Sequence, residues 1–190
     1  MRHVDHLPTG NKRAPGDLAF VQGFVNTLDL ESGKDALGTP EGAVAWLAHH
    51  GLVPEGCTIA AKDHAEVLAF RAALRGLMRT NNGDALEPEA LEELRAIVAR
   101  TSMTFAIDDD GRFELRPASD GVRAAIGTLQ AVAYAAMLDG SWPRLKACAN
   151  DGCQWAFFDH SRNHSGTWCS MDVCGNRMKV RSHRERKAAG

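Results

Sequence analysis

CANDGC at residues 148–153 and CSMDVC at residues 169–174 are two cysteine pairs with the same spacing, near the carboxyl end of the chain. In each pair, four residues separate the two cysteines. Four thiolates in two such pairs are the ligand set of a tetrahedral zinc ion, which can fold a segment that has little core of its own. The sequence therefore predicts a zinc site whose ligands are Cys148, Cys153, Cys169 and Cys174.

His160 and His164 offer a second ligand set, because they lie four residues apart between the two cysteine pairs. A site of two cysteines and two histidines would leave Cys169 and Cys174 without a role. A catalytic zinc ion keeps an open position beside three protein ligands, whereas four thiolates close the coordination shell. We therefore expect a structural metal on the four cysteines, with both histidines in a loop.

The residues around the cysteines predict a small module. Short strands are expected on both sides of the first cysteine pair, and a helix is expected to supply the second pair, as in a zinc ribbon or treble clef. The aromatic residues of this segment either form its miniature core or stack on bases, and they are Trp155, Phe157, Phe158 and Trp168.

Charge is distributed unevenly along the chain. Residues 144–190 hold 9 lysines and arginines against 4 acidic residues, whereas residues 1–143 hold 13 against 20. The net charges are therefore +5 and −7, which give the −2 of the whole chain. A basic tail on an acidic body suggests a polyanionic partner for the tail.

Residues 1–143 are predicted to form a mostly helical body, and residues 144–190 the cysteine module. Apolar spacing and cap signals indicate helices over residues 17–28, 39–50, 63–79, 88–100 and 120–138. In the third helix, Arg71, Arg75 and Arg79 are expected to face outward. Strands at 101–107 and 112–116 flank an Asp-rich turn and predict one β-hairpin. The expected class is α+β, with a zinc-ribbon or treble-clef-like module appended.

Several functional classes lack a signature in this sequence. We find no phosphate loop, dinucleotide fingerprint or nucleophile elbow, so the chain is not expected to be an enzyme. The first residues lack the apolar region of a secretory signal, and the longest apolar stretch is too short for a membrane span. We expect a cytoplasmic protein that does not bind membranes. Asn26 and Thr27, in an apolar helix, either contact a ligand or make tertiary hydrogen bonds.

The sequence from Trp168 through Cys174-Gly175-Asn176-Arg177, preceded by the first cysteine pair, closely resembles the CGNR zinc finger. In that family the finger follows a helical domain called ABATE, which belongs to a family of stress-induced transcription regulators. FVNTLD at residues 24–29 is similar to the first-helix signature of that domain. The resemblance covers essentially the whole chain. It implies DNA binding by the finger and a sensing or regulatory role for the body.

A helix running from residue 171 to about residue 187 would place Arg177, Arg181 and Arg184 on one face, with Lys179 and Arg186 opposite. Arginines and lysines there would contact phosphates, and an Asn or Arg would read base edges. The expected nucleic-acid contacts are Asn176, Arg177, Lys179, Arg181, Arg184 and Arg186. Asn176 and Arg177 have an alternative role in supporting the zinc site.

The functional prediction is a zinc-dependent, DNA-binding transcriptional regulator whose body senses a small-molecule effector or forms a homodimer. The alternative is a protein- or RNA-interaction module in which zinc is purely structural. Removal of zinc is expected to unfold residues 144–187 and to leave the body helical.

Overall fold

The structure is a computed structural model that describes residues 12–188 of the chain. Its described part contains six α-helices and three antiparallel strand pairs. The helices are α1 (Leu18–Val25), α2 (Pro40–His49), α3 (Ala61–Thr80), α4 (Pro88–Ala99), α5 (Gly121–Leu138) and α6 (Asn176–Ala188). The strands are β1 (Leu28–Asp29), β2 (Lys34–Asp35), β3 (Met103–Ile107), β4 (Phe113–Pro117), β5 (Leu145–Ala147) and β6 (Ala156–Phe158). The predicted α+β class is confirmed.

Local signals placed most helices within a few residues of their observed ends. Thr39 caps α2 as its sequence predicts, since its hydroxyl accepts a hydrogen bond of 3.1 Å from the Gly42 amide. The β1–β2 pair was not predicted. Its turn is held by the Asp29 carboxylate, which accepts hydrogen bonds from the amides of Glu31 and Ser32.

The prediction that Arg71 and Arg75 face outward is wrong, since only 4% and 7% of their surfaces are exposed. Arg71 makes a two-bonded ion pair with Asp35 on β2, and its Nη1 also donates to the Thr27 hydroxyl. Arg75 donates to the carbonyl oxygens of Val25, the last residue of α1, and of Leu28 on β1. The helical spacing of the sequence places both arginines on the solvent side of α3. They are buried instead because partners on α1 and β2 pair with their guanidinium groups inside the protein.

Helix α5 has the length and composition of a membrane span, with 18 residues and a mean hydropathy of 1.2. In the structure it packs against α1, α3 and β4. Its side chains Val122, Ile126 and Leu129 are buried in the core. Core helices of soluble proteins pass the same test of length and composition, so α5 gives no positive indication of a membrane span.

Strands β5 and β6 of the cysteine module belong to the main hydrophobic core. Leu145, Ala156 and Phe158 are buried in the same cluster as Phe24 of α1 and Phe70 of α3. A smaller cluster contains Cys148, Cys153 and Cys174, with Trp155, Trp168 and Cys169 packed against it. The division at residue 143 stays a prediction, but the hydrophobic core continues across that position.

Four side-chain amides, which we call the amide clamp, join the body to the cysteine module: Gln22, Asn26, Asn81 and Asn82. Asn26 makes two bonds with the backbone of Ala156, accepting from its amide at 2.7 Å and donating to its carbonyl at 3.0 Å. Gln22 donates to the same carbonyl at 3.1 Å. Because backbone groups of a buried strand must be paired, these amides fix β6 against α1.

The other half of the clamp follows α3. Asn81 donates to the carbonyl oxygens of Trp142 and Leu145 at 2.9 and 2.8 Å. Asn82 donates to those of Ala147 and Thr167, both at 2.9 Å. The sequence marks this Asn-Asn-Gly stretch only as the end of a helix. In the fold it fixes both halves of the module, on either side of the metal centre, to α3.

Candidate metal centre

Both cysteine pairs lie at turns beside regular elements. Cys148 directly follows β5, and Cys153 closes the turn between β5 and β6. In that turn the amides of Cys153 and Gln154 both donate to the carbonyl of Asn150, at 2.8 and 3.0 Å. Cys174 lies in a π-helical turn, Met171–Gly175, which leads directly into α6. The strand-turn-strand and turn-helix halves therefore meet at the four thiols, as the sequence predicts.

The four thiol groups have the spacing of a tetrahedral metal site. The Sγ atom of Cys169 lies 3.6 Å from that of Cys153 and 3.7 Å from that of Cys174. All four sulfurs lie within 4.8 Å of one another. Zinc with Zn–S bonds of about 2.3 Å requires sulfurs about 3.8 Å apart, so the residues fit this ion. The prediction of a zinc cofactor is confirmed.

The alternative site of two cysteines and two histidines does not form among the described residues. His160 lies outside the cluster, with its Nε2 atom 2.8 Å from the carbonyl oxygen of Arg13. His164 lies in the exposed loop that follows β6. The histidines are therefore loop residues, and the cluster consists of cysteines alone.

Hydrogen bonds between the thiols perturb their acidity. Hydrogen bonds donated by the thiols of Cys153 and Cys169 lower the pKa of Cys148. The bond that each of these two thiols makes with Cys148 raises the pKa of that thiol. Backbone amides of Asn150 and Cys169 donate to Cys148 as well. These two amides would stabilise the negative charge of a metal-bound thiolate at Cys148. A bound metal would replace the protons of the Cys153 and Cys169 thiols.

A buried ion pair between Lys146 and Asp159 fixes the loop that links the two halves. The Lys146 ammonium donates to the Asp159 carboxylate at 3.0 Å and to the carbonyls of His164 and Gly166, at 2.6 and 3.0 Å. Asp159 also accepts from the amides of Ser161 and Gly166, at 3.0 and 2.7 Å. The side chains of Lys146 and Asp159 are only 6% and 1% exposed. This pair therefore organises the module without using the metal.

Gly166 and Gly175 are required by close contacts around this centre. A Cβ atom on Gly166 would lie 2.7 Å from the Asp159 carboxylate. One on Gly175 would lie 2.5 Å from the sulfur of Met171 and 3.2 Å from the ring of Trp168. Glycine at these positions lets the loop and the π-helical turn approach the cluster.

The basic helix α6 is exposed throughout its described side chains except for half-buried Met178. One shallow concave surface of about 780 Å³ runs along it and on to the π-helical turn. It is lined by Asp172, Val173, Asn176, Arg177, Val180, Arg181, Arg184 and Glu185. Of the six predicted nucleic-acid contacts, four share this surface, and Lys179 and Arg186 do not line it.

Arg177 pairs with the body rather than with a sulfur atom. Its Nη1 donates to Glu31 of the β1–β2 turn at 2.6 Å, and this contact raises the pKa of Arg177. Asn176 donates from its side-chain amide to the carbonyl of Asp172 at 3.1 Å, which closes the π-helical turn. Asn176 thus supports the turn that carries Cys174, and Arg177 links α6 to the body.

Asn26 and Thr27 have tertiary partners, which is one of the two roles the sequence left open. Both are buried, with Asn26 in the amide clamp. The Thr27 hydroxyl donates to the Phe24 carbonyl at 2.7 Å and accepts from Arg71 at 3.1 Å. Ligand binding by these residues stays a prediction.

Comparison with known families agrees with this geometry. The family described as "CGNR zinc finger" matches residues 144–187. The ABATE family, described as "Putative stress-induced transcription regulator", matches residues 18–140, more than half of the chain. The chain belongs to the ABATE family. It carries a CGNR zinc finger after the ABATE part, as its motifs predict. No curated protein matches the chain. Both families are of the regulator or zinc-finger type.

The four residues of the CGNR motif have separate structural roles in this protein. Cys174 belongs to the cluster of four thiols, and Gly175 leaves room for Met171 and Trp168. Asn176 closes the π-helical turn, and Arg177 contacts Glu31. Tertiary hydrogen bonding by Asn26 was one of the roles that the sequence left open, whereas Gln22, Asn81 and Asn82 of the amide clamp and the Lys146–Asp159 pair were missed. The sequence signal for the clamp was the presence of side-chain amides within an apolar helix, because a buried amide needs hydrogen-bond partners.

Proposed function

We propose that this ABATE protein is a zinc-dependent transcriptional regulator that binds duplex DNA through its CGNR finger. The observation that carries the proposal is the arginine-rich face of α6, where Arg177, Arg181 and Arg184 line one concave surface next to the zinc cluster. A helix of 13 residues is about 20 Å long, which suits the major groove of B-DNA. Zinc would hold the π-helical turn that leads into this helix while the arginines of the helix contact phosphates. We place the protein in the cytoplasm, where thiols stay reduced.

Replacement of Arg181 and Arg184 together by Ala is expected to weaken duplex binding and to flatten its salt dependence. Each lost phosphate contact reduces the slope of log K against log salt by about 0.9, so the double variant should lose nearly two units. Fluorescence anisotropy with a labelled duplex, measured over a range of salt concentrations, gives both slopes. Absence of salt-sensitive binding by the wild type to any duplex would falsify the proposal.

A matched control for this variant removes two exposed arginines from the body. Arg95 and Arg112 are 64% and 75% exposed, and each pairs with an acidic side chain on its own element. Their joint replacement by Ala changes the net charge by the same amount but leaves α6 intact. An equal loss of slope in this control would assign the salt dependence to net charge rather than to α6.

Glu31 forms an ion pair with Arg177 in the structure, so its carboxylate would compete with a DNA phosphate for the Arg177 guanidinium group. Glu31→Gln is expected to raise duplex affinity about twofold to fivefold at low salt, because it removes this competitor and a negative charge facing the DNA. Anisotropy titrations of the two proteins provide the comparison. Glu41→Gln, which removes an exposed negative charge from α2, is the control. Weaker binding by Glu31→Gln would show instead that Glu31 orients α6 for DNA.

The body would sense a small-molecule effector or form a homodimer. A cleft of about 360 Å³, between the starts of α3 and α5, supports an effector site. It combines apolar Val53 and Ile59 with the charged residues Lys62 and Arg123. For a homodimer, the supporting feature is the β3–β4 hairpin, where Phe105 and Phe113 are 78% and 79% exposed, since exposed apolar side chains mark interaction surfaces.

The alternative function is a protein- or RNA-interaction module with structural zinc. The Arg177–Glu31 contact favours it in one respect, because it shows that α6 accepts a carboxylate of a protein as partner. Capture of an acidic protein or an RNA, with no binding to duplex DNA, would support this alternative.

A further inference from the structure

Two valines are exposed at the basic face of the finger. Val173 is 44% exposed and Val180 is 51% exposed. Both line the concave surface formed with Asn176, Arg177 and Arg181. Every described side chain after Val180 in α6 is exposed, and all of them are polar or charged. Exposure of an apolar side chain to water is unfavourable, so these valines do not stabilise the helix as it stands.

Packing within the protein does not account for the position of Val180. It belongs to neither buried cluster, and the helix that carries it lies outside both cores. Arg177 and Arg184 lie three residues before and four residues after Val180 in the sequence, and Arg181 follows it directly. At 100° per residue these arginines lie within about 100° of Val180 around the helix, so they flank it. The apolar spot therefore lies beside three arginines, two of which pair with carboxylates in the structure, Arg177 with Glu31 and Arg181 with Glu185.

We infer that Val180, with Val173, reads thymine by contact with its C5-methyl group in the major groove, which rests on the function proposed above. The major groove displays this methyl group as the one apolar feature of an A·T pair, and apolar side chains recognise it there. The surrounding arginines complement the phosphates on either side of the groove. Charge complementarity thus selects DNA as the occupant of this surface, and the valines add preference for particular bases.

The two valines lie on one continuous stretch of chain. Val180 lies seven positions after Val173, which belongs to the π-helical turn that leads into α6. We therefore expect up to two thymine-dependent positions in a bound site, with Val180 reading one of them.

The test removes single methyl groups from DNA. A duplex is first selected from a random pool by the purified zinc-loaded protein, and each thymine in it is then replaced in turn by uracil, which lacks only the C5-methyl group. We expect one or two of these replacements to weaken wild-type binding about threefold to fivefold, the effect of about one buried methyl group. The other replacements should have no effect.

Protein variants then assign the sensitive position. Val180→Ala should bind the thymine duplex about threefold to fivefold more weakly, and it should no longer distinguish thymine from uracil at its position. Val180→Thr keeps one methyl group and should retain part of the discrimination. Val98→Ala, at a valine of α4 that is 47% exposed, is the matched control and should behave as wild type. Zinc content and circular dichroism check that each variant is folded.

Two results would overturn the inference while leaving DNA binding in place. The first is a selected site without thymine, or one that tolerates uracil at every position. The second is a Val180→Ala variant that keeps full uracil discrimination but changes its sedimentation, which would assign the valines to a contact between copies of the chain. Absence of duplex binding in wild type is a different outcome, since it refutes the proposed function itself.

Discussion

Removal of zinc is expected to lower the unfolding free energy of the whole described fold, not only that of the finger. At free zinc a thousandfold above its dissociation constant, the lost stabilisation is about 4 kcal/mol. The reason is that Leu145, Ala156 and Phe158 of the finger lie in the same core as Phe24 of α1. The sequence predicted a body that stays helical without metal, and the shared core changes that expectation.

Hydrogen exchange with and without a chelator measures this effect region by region. Protection should fall together in β5, β6 and α1, because the amide clamp joins these elements. Cys174→Ser should reproduce the effect of the chelator. Cys57→Ser, which removes a half-buried thiol outside the cluster, should keep one zinc ion per chain. Unchanged protection of α1 after complete zinc removal would show that the two parts fold independently.

Replacement of Asp159 by Ala is expected to cost about 3–5 kcal/mol of unfolding free energy, because it leaves the buried ammonium of Lys146 without its counter-charge. It also deprives the amides of Ser161 and Gly166 of their acceptor. Urea unfolding at neutral pH measures the loss. Asp159→Asn keeps an acceptor for only one of these amides, since they bond to different carboxylate oxygens, and should lose less than Asp159→Ala. Asp110→Ala breaks an ion pair whose partners are 72% and 75% exposed, and it should change stability by less than about 1 kcal/mol.

The effect of Asp159 should depend on pH in a defined direction. Burial alone would raise the pKa of this carboxyl group, but hydrogen bonds from Ser161, Lys146 and Gly166 outweigh burial and lower the pKa well below 3.8. A carboxylate with a lowered folded-state pKa stabilises the fold above its unfolded-state pKa and loses that contribution in acid. The difference between wild type and Asp159→Ala should be full above about pH 5 and shrink below about pH 4. A difference that stays constant down to pH 3 would exclude this ionic contribution.

Local patterns predicted much of this protein. Helix spacing and the Thr39 cap located α2, and a run of alternating residues around an Asp-rich turn located β3 and β4. The cysteine spacing predicted the four thiols that the structure brings together, because a zinc knuckle is built from residues that lie close together in sequence. The arginine face of α6 also follows from the helical repeat alone.

Partners distant in sequence could not be predicted in this way. Asn26 and Ala156 are 130 residues apart, and Arg177 and Glu31 are 146 residues apart. No periodicity of the chain encodes such pairs. For the same reason, the sequence predicts Arg71 and Arg75 at the surface, whereas their hydrogen-bond acceptors on β2 and α1 hold them inside.

The sequence by itself determined the class of fold, the family, the cluster of four cysteines and the basic helix, because each depends on spacings between residues that are close in the chain. The tertiary structure decided that the finger shares its core with the body, that four amides hold them together, and that Glu31 contacts Arg177. These features depend on which buried polar groups meet, and a buried donor or acceptor takes its partner from whatever element the fold brings beside it.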